Sequence, residues 1–290
     1  MVSPLRLALG LLAGLALPVA ADPPRRVLSM NLCTDQLALL LAAPGQLISV
    51  SYLARDPATS AMAAQAAGLP VNHGQAEEIA VLRPDLVLAG EWTTPATVRL
   101  LRRLNLPVEV FPAEHDVAGI RANIRRMGQV LGRETQAQAL LAGFDADLAR
   151  LADAEPDAPP NPPPGAPPDP RPRAALYAAD GYSSGSDSLA GQILTLAGYD
   201  NIADALGLSA GGVLALETLL LSRPDLLIRG RRYPGQSRAQ EMLDHPALRA
   251  LTRDRATAVM SDPDWVCGTP AILNAVAALR AERLTWQARP

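Results

Sequence analysis

Lysine is absent from this chain of 290 residues: all 26 of its cationic side chains are arginine. That excludes Schiff-base chemistry and a Walker-type phosphate loop. Aromatics are scarce, with three Trp, five Tyr and two Phe, so where they sit is informative. The net charge is −3, with 29 acids set among the arginines and no basic block. Nothing here offers the cationic footprint that a phosphate backbone demands, and nucleic acid is excluded as a partner. Cysteine occurs only as Cys33 and Cys267. Against these shortages, 49% of the chain is apolar, ample for a core in each of two domains, so disorder is excluded as the main state.

Residues 1–21 read as an export signal. Arg6 supplies a positive start, Leu7 to Leu17 an apolar run, and Val19-Ala20-Ala21 the small residues of a cleavage site. The run is short for a bilayer, and no cysteine lies near it to accept a lipid. The expectation is a soluble, exported chain in a compartment that permits disulfides.

From residue 22 to 116, strand-length apolar runs alternate with helical patterns: Val27 to Met30, Leu47 to Ser51, Leu86 to Ala89 and Val108 to Phe111. That alternation predicts βαβ units around a parallel sheet. Residues 117–152 read as one helix, a rod of about 50 Å at 1.5 Å per residue, with a bend at Gly132. An insert at 153–173 follows, in which ten of the seventeen positions from Pro156 to Pro172 are proline, so it reads as a stiff, extended spacer. Strands resume at Ala174 to Ala178, Leu226 to Arg229 and Ala256 to Met260, giving a second lobe over 174–290. The predicted class is α/β, with two Rossmann-like lobes joined by one long backbone helix.

An internal repeat supports two lobes of similar build. The stretch from Glu77 to Val87 aligns without gaps on Glu217 to Leu227, each reading Glu, apolar helix, Arg-Pro-Asp and buried strand. Proline ends the helix and restricts the residue before it, so a strand can follow at once. Each glutamate sits early on an amphipathic element whose apolar side chains are committed to the core, and so points outward.

In its ordered motifs the mature chain resembles the helical-backbone, class III periplasmic substrate-binding proteins of ABC importers, which carry cobalamin, ferric siderophores and haem. The motifs are the strand at Val27, the two Glu/Arg-Pro-Asp elements, a long helix, a Ser-Gly loop before Asn201-Ile202-Ala203, and Asp264-Trp265. The resemblance implies a monomer with no catalytic residues. It implies permease docking through Glu77 and Glu217, with Glu78 as an adjacent candidate.

Ligands of open α/β sheets bind beyond the carboxyl ends of the strands. Residues there include Tyr52 and Trp92 from the first lobe, and Tyr182, Arg231, Arg232, Tyr233, Asp264 and Trp265 from the second. Five of the ten aromatics fall on these loops, which suits a flat, partly apolar chelate. One of Arg231 and Arg232 is expected to face the cleft and to receive an anionic group. His73, His115 and the tyrosines are candidate axial ligands for haem iron. Cys33 and Cys267 fall on strand-end loops of opposite lobes; a disulfide, a thiolate pair facing a metal centre and two separate thiols all stand open. A competing motif, Gly181-Tyr182-Ser183-Ser184-Gly185, matches a hydrolase nucleophile elbow with His245 downstream, but a polar loop follows it in place of a helix.

Overall fold

The computed structural model describes residues 22–153, 171–232, 235, 237–253 and 255–287. The export signal, most of the proline-rich insert and Tyr233 lie outside the described residues. Strands β1 (Val27–Ser29), β2 (Leu47–Ser51), β3 (Val71–Asn72), β4 (Leu86–Gly90) and β5 (Val108–Phe111) form a parallel sheet in the order β3-β2-β1-β4-β5. Their Val- and Leu-rich sequences fit burial on both faces. A second parallel sheet contains β6 (Arg173–Tyr177), β8 (Asp200–Asn201), β10 (Leu226–Arg229) and β11 (Ala256–Val259), in the order β11-β10-β6-β8. A small antiparallel pair, β7 (Tyr182–Ser183) with β9 (Gly212–Val213), sits beside it. These short strands escape a periodicity reading because two residues carry no period.

The duplication extends to register. β1 pairs with β4 as Val27 with Leu86, and β6 pairs with β10 as Ala174 with Leu226. One residue earlier in each strand, the same lock recurs. Asp85 accepts from the Arg26 N–H at 2.9 Å, and Asp225 from the Arg173 N–H at 2.8 Å. The guanidinium of each arginine then donates to the carbonyl of Arg83 or Arg223, both at 3.2 Å. Those two carbonyls belong to left-handed residues with φ of 45° in both copies, which turns the chain into Pro84 and Pro224.

The single rod over 117–152 is corrected to two helices, Val117–Leu131 and Glu134–Asp153. Gly132 adopts φ 66° and ψ 38°, while the Arg133 N–H donates to Gly128 O and the Gly132 N–H to Gln129 O. That pair of bonds is a Schellman cap, which terminates a helix where a bend would have continued it. The helices fold back on one another: a Cβ on Gly128 would stand 2.4 Å from Ala137 Cβ, and Arg121 bonds Asp145 at 2.8 Å. The helix Glu134–Asp153, about 30 Å long, packs against its predecessor and against the C-terminal helix Ile272–Gln287 of the second lobe. One hydrophobic cluster runs from Val27, Leu88 and Phe111 through Phe144 to Ala174, Trp265 and Ile272, so the lobes share a core. Among the described residues no helix is long and apolar enough to cross a membrane.

Candidate functional site

The chain crosses over between β1 and β4, and the carboxyl ends of those strands open a crevice there. Asn31 follows β1 and caps the helix Leu32–Leu41, its Oδ1 accepting from the Cys33 N–H at 3.0 Å and the Thr34 N–H at 3.4 Å. Gly90 at the end of β4 is required by this cap, because a Cβ there would lie 2.7 Å from Asn31 Cγ. Glu91 follows and accepts from the Ala113 N–H at 2.9 Å, tying the ends of β4 and β5. Trp92 then projects into solvent at 80% exposure. Together with Leu37, Leu53, Phe111, Pro112 and Glu114, these residues line a mostly apolar cavity of about 380 Å³, to which the second lobe contributes Val266.

Among the described residues three ties join the lobes, two of them at this cavity. Cys33 and Cys267 form a disulfide with Cα atoms 5.1 Å apart, which resolves the three alternatives for the cysteines. The Gly268 N–H donates to the Glu114 carboxylate, which also accepts from Asn123 Nδ2 at 2.5 Å. Burial pushes the Glu114 carboxyl above the usual carboxylate range, and these hydrogen bonds to its ionised form partly offset the rise. The third tie is Arg231, whose guanidinium donates to Ala58 O of the first lobe and pairs with Asp262 at 3.3 Å. Gly268 is fixed by the second tie: a Cβ would fall 2.4 Å from Glu114 Cβ. Gly268→Ala is therefore expected to lower stability by about 1–3 kcal/mol, read as a fall in Tm, whereas an unchanged Tm would mean that Glu114 swings aside freely.

Asp35, under the cavity in the helix Leu32–Leu41, is fully buried and was not anticipated. Its carboxylate accepts from the Ser51 N–H at 3.1 and 3.2 Å and from the Ser51 hydroxyl, fastening that helix to the end of β2. Burial raises its pKa to about 7. Between the ordinary value near 4 and about 7 the unfolded chain gives up this proton while the folded chain keeps it, so stability falls as pH rises through that window. Denaturant titrations at pH 4.5 and 7.5 should show the wild type losing ground to Asp35→Asn by on the order of a few kcal/mol. A constant difference at both pH values would contradict a protonated Asp35.

Of the predicted ligand residues that are described, Trp92 and Cys33 line the cavity, and the others do not. Tyr52 is exposed and stacks on His73 at 5.3 Å, and His73 in turn bonds Glu78, its N–H donating at 2.8 Å. Tyr182 is exposed on β7, where its side chain lies over Gly211. Asp264 accepts from Asn274 Nδ2 at 3.1 Å. Trp265 is corrected from ligand face to core: it is 6% exposed, because Asp262–Trp265 forms one helical turn whose inner side packs inward and leaves Val266 toward the cavity. Arg231 bridges the lobes while Arg232 pairs with Asp244 on its own lobe. His115 is exposed and does not line the cavity.

Ser183 lies on β7 at 1% exposure, its Oγ buried with no hydrogen-bond partner among the described residues, and His245 instead caps the helix Pro246–Leu251 by accepting from the Ala247 N–H. A serine nucleophile requires a base within hydrogen-bond reach. The glycine pattern has a packing cause: a Cβ on Gly185 would sit 2.1 Å from Leu208 O.

Glu77 and Glu217 are both exposed, at matched places on the helices Ala76–Leu82 and Leu216–Ser222. Glu78, half-buried beside Glu77, accepts from the backbone N–H of His73 and meets its ring.

The profile of the family described as periplasmic binding protein matches residues 27–264. A cobalamin-binding protein of Halobacterium salinarum is 27% identical over 208 residues, 71% of this chain and 54% of the relative. The chain thus spans about half the length of that curated relative. Among solved structures, the periplasmic heme-binding protein RhuT from Roseiflexus sp. RS-1, in apo form, superposes with a TM-score of 0.72 at 20% identity, covering 90% of this chain and 98% of that one. The periplasmic vitamin B12 binding protein BtuF of Vibrio cholerae superposes with a TM-score of 0.64 at 18% identity, covering 92% and 99%. These likenesses establish the two-lobed fold.

Proposed function

The chain belongs to the periplasmic binding protein family, and from that premise we propose that it captures a metal chelate between its lobes in the periplasm and delivers it to the permease of an ABC importer. The observation that carries this reading is the apolar cavity at the crossover of β1 and β4, rimmed by Trp92 and lined by Val266 of the other lobe. A chelate whose metal is saturated by its own donors asks of a protein only shape, apolar contact and hydrogen bonds. At about 380 Å³ the cavity lining offers apolar contact and hydrogen bonds to one edge of such a ligand, the rest of which would lie in the cleft beyond Trp92. Its charged members, Glu91 and Glu114, are acidic, and Arg231 is engaged between the lobes. A neutral chelate with an N–H-bearing periphery suits such a lining better than an anionic one, which favours a cobalamin-like ligand over a ferric siderophore with carboxylate arms. The similarity to a cobalamin-binding relative supports the same choice. Haem comes second, because it calls for an axial protein ligand and neither His73, His115 nor any described tyrosine lines the cavity.

In this reading the disulfide and the shared core keep the cleft largely preformed, so affinity rests on fit more than on closure. Glu77 and Glu217 act as the two anionic contacts to a permease with matched cationic sockets.

The test is a tryptophan-fluorescence titration of the mature, ligand-stripped chain with cobalamin, a ferric siderophore panel and haemin. Saturable quenching by one chelate is expected, with affinity at least about tenfold weaker in Trp92→Ala, the loss typical of a contact hot spot. Equal affinities in the variant and the wild type would move the ligand away from this cavity.

A further inference from the structure

The two docking helices present more than a glutamate. One turn beyond Glu77 stands Val81 at 80% exposure, and one turn beyond Glu217 stands Leu221 at 82%. On a helix, residues four apart lie one above the other on the same face, about 5–6 Å apart. The two stretches share the same alternation of buried and exposed positions from residue 75 to 84 and from 215 to 224. Ile79 and Leu219 fill the core from the inner side, so neither Val81 nor Leu221 is spent on packing. A single exposed aliphatic on a surface is ordinary. The same exposed aliphatic, beside the same exposed acid, at the same place in both halves of a duplicated chain is a repeated two-part surface.

Resting on the docking role proposed for the glutamates, we infer that Val81 and Leu221 are apolar anchors that seat in matched sockets of two equivalent subunits of the membrane permease. A patch repeated by internal duplication complements a receptor that is itself two-fold, each of its halves offering a cation beside an apolar recess. The acid gives orientation and encounter, and the aliphatic side chain supplies burial once the charges have met. Bare lipid is the poorer occupant, since each aliphatic group carries a carboxylate with it, and anionic headgroups repel that charge.

The experiment measures binding of the mature chain to inner-membrane vesicles from the organism that makes it, with the transporter present or deleted, over a range of salt concentrations. Val81→Ser/Leu221→Ser is expected to weaken transporter-dependent binding at least about tenfold while leaving its salt dependence and the Tm unchanged. Glu77→Gln/Glu217→Gln is expected to weaken binding and flatten the salt dependence. If the glutamine pair weakens binding and the serine pair does not, the anchor assignment falls and the docking reading stands. If the serine pair alone weakens it, the anchors stand without the glutamates. Wild-type binding by both pairs overturns both ideas, and equal binding to vesicles lacking the transporter overturns the permease as occupant.

Discussion

Replacing Glu77 and Glu217 together by arginine is expected to reduce chelate uptake by more than about a hundredfold, while chelate binding in solution and thermal stability stay at wild-type values. Both carboxylates are exposed on short helices whose other face is buried, so the exchange disturbs no packing. Like charges brought face to face at an interface cost several kcal/mol, and two such contacts are changed at once. Each single reversal should give an intermediate loss. The assay is uptake of radiolabelled chelate into cells whose own copy of this chain is replaced by the variant. Wild-type uptake by the double variant would end the docking role of this pair, whatever the protein binds.

Removing the disulfide is expected to cost nearly as much in a different currency. Cys33 and Cys267 are 234 residues apart, so the bond closes most of the chain into a loop. The chain-entropy treatment puts the stabilisation from so long a loop at about 5 kcal/mol, the top of the usual range. Domains of this kind are stable by only about 5–15 kcal/mol, so the loss is a large share of the total. Cys33→Ala/Cys267→Ala should therefore unfold at markedly lower guanidinium concentration, and dithiothreitol should shift the wild type toward the variant but leave the variant unmoved. Because the bond crosses the cleft beside the Glu114 to Gly268 contact, opening it should also weaken chelate binding. Coincident unfolding curves for the two proteins would show that the shared core and the other two ties hold the lobes unaided.

Much of the frame was legible in the residues, for identifiable reasons. The long strands announced themselves because apolar runs of four or five residues between helical patterns have few other fates. The repeat was legible because Arg-Pro-Asp imposes a backbone turn, and the matched locks of Arg26 with Asp85 and Arg173 with Asp225 show what that turn secures. That a cavity lies beyond the carboxyl ends of the strands, with Trp92 on its rim, was legible as well.

What stayed hidden depended on contacts between distant segments. Gly132 read as a bend because a glycine inside a helical pattern carries the same residues whether it bends or caps; only its left-handed backbone and the Arg133 to Gly128 bond decide. Trp265 read as a loop aromatic because a one-turn helix has no period to reveal its inner face. Arg231 looked like a ligand cation until the first lobe supplied Ala58 O as its partner. Asp35 offered a faint signal, the one acid in the leucine-rich Leu32–Leu41 helix. The contact of Glu114 with Gly268 joins residues far apart in the chain, which no local pattern announces.

The most direct test of the central claim is native mass spectrometry of the mature, ligand-stripped chain mixed with equimolar cobalamin, ferric siderophores and haemin. The account predicts one chelate bound per chain, of the cobalamin-like class, displaced by nothing else in the mixture and much reduced in Trp92→Ala. A chain that leaves the mixture without any adduct, or one whose adduct is untouched by the Trp92 exchange, would contradict it.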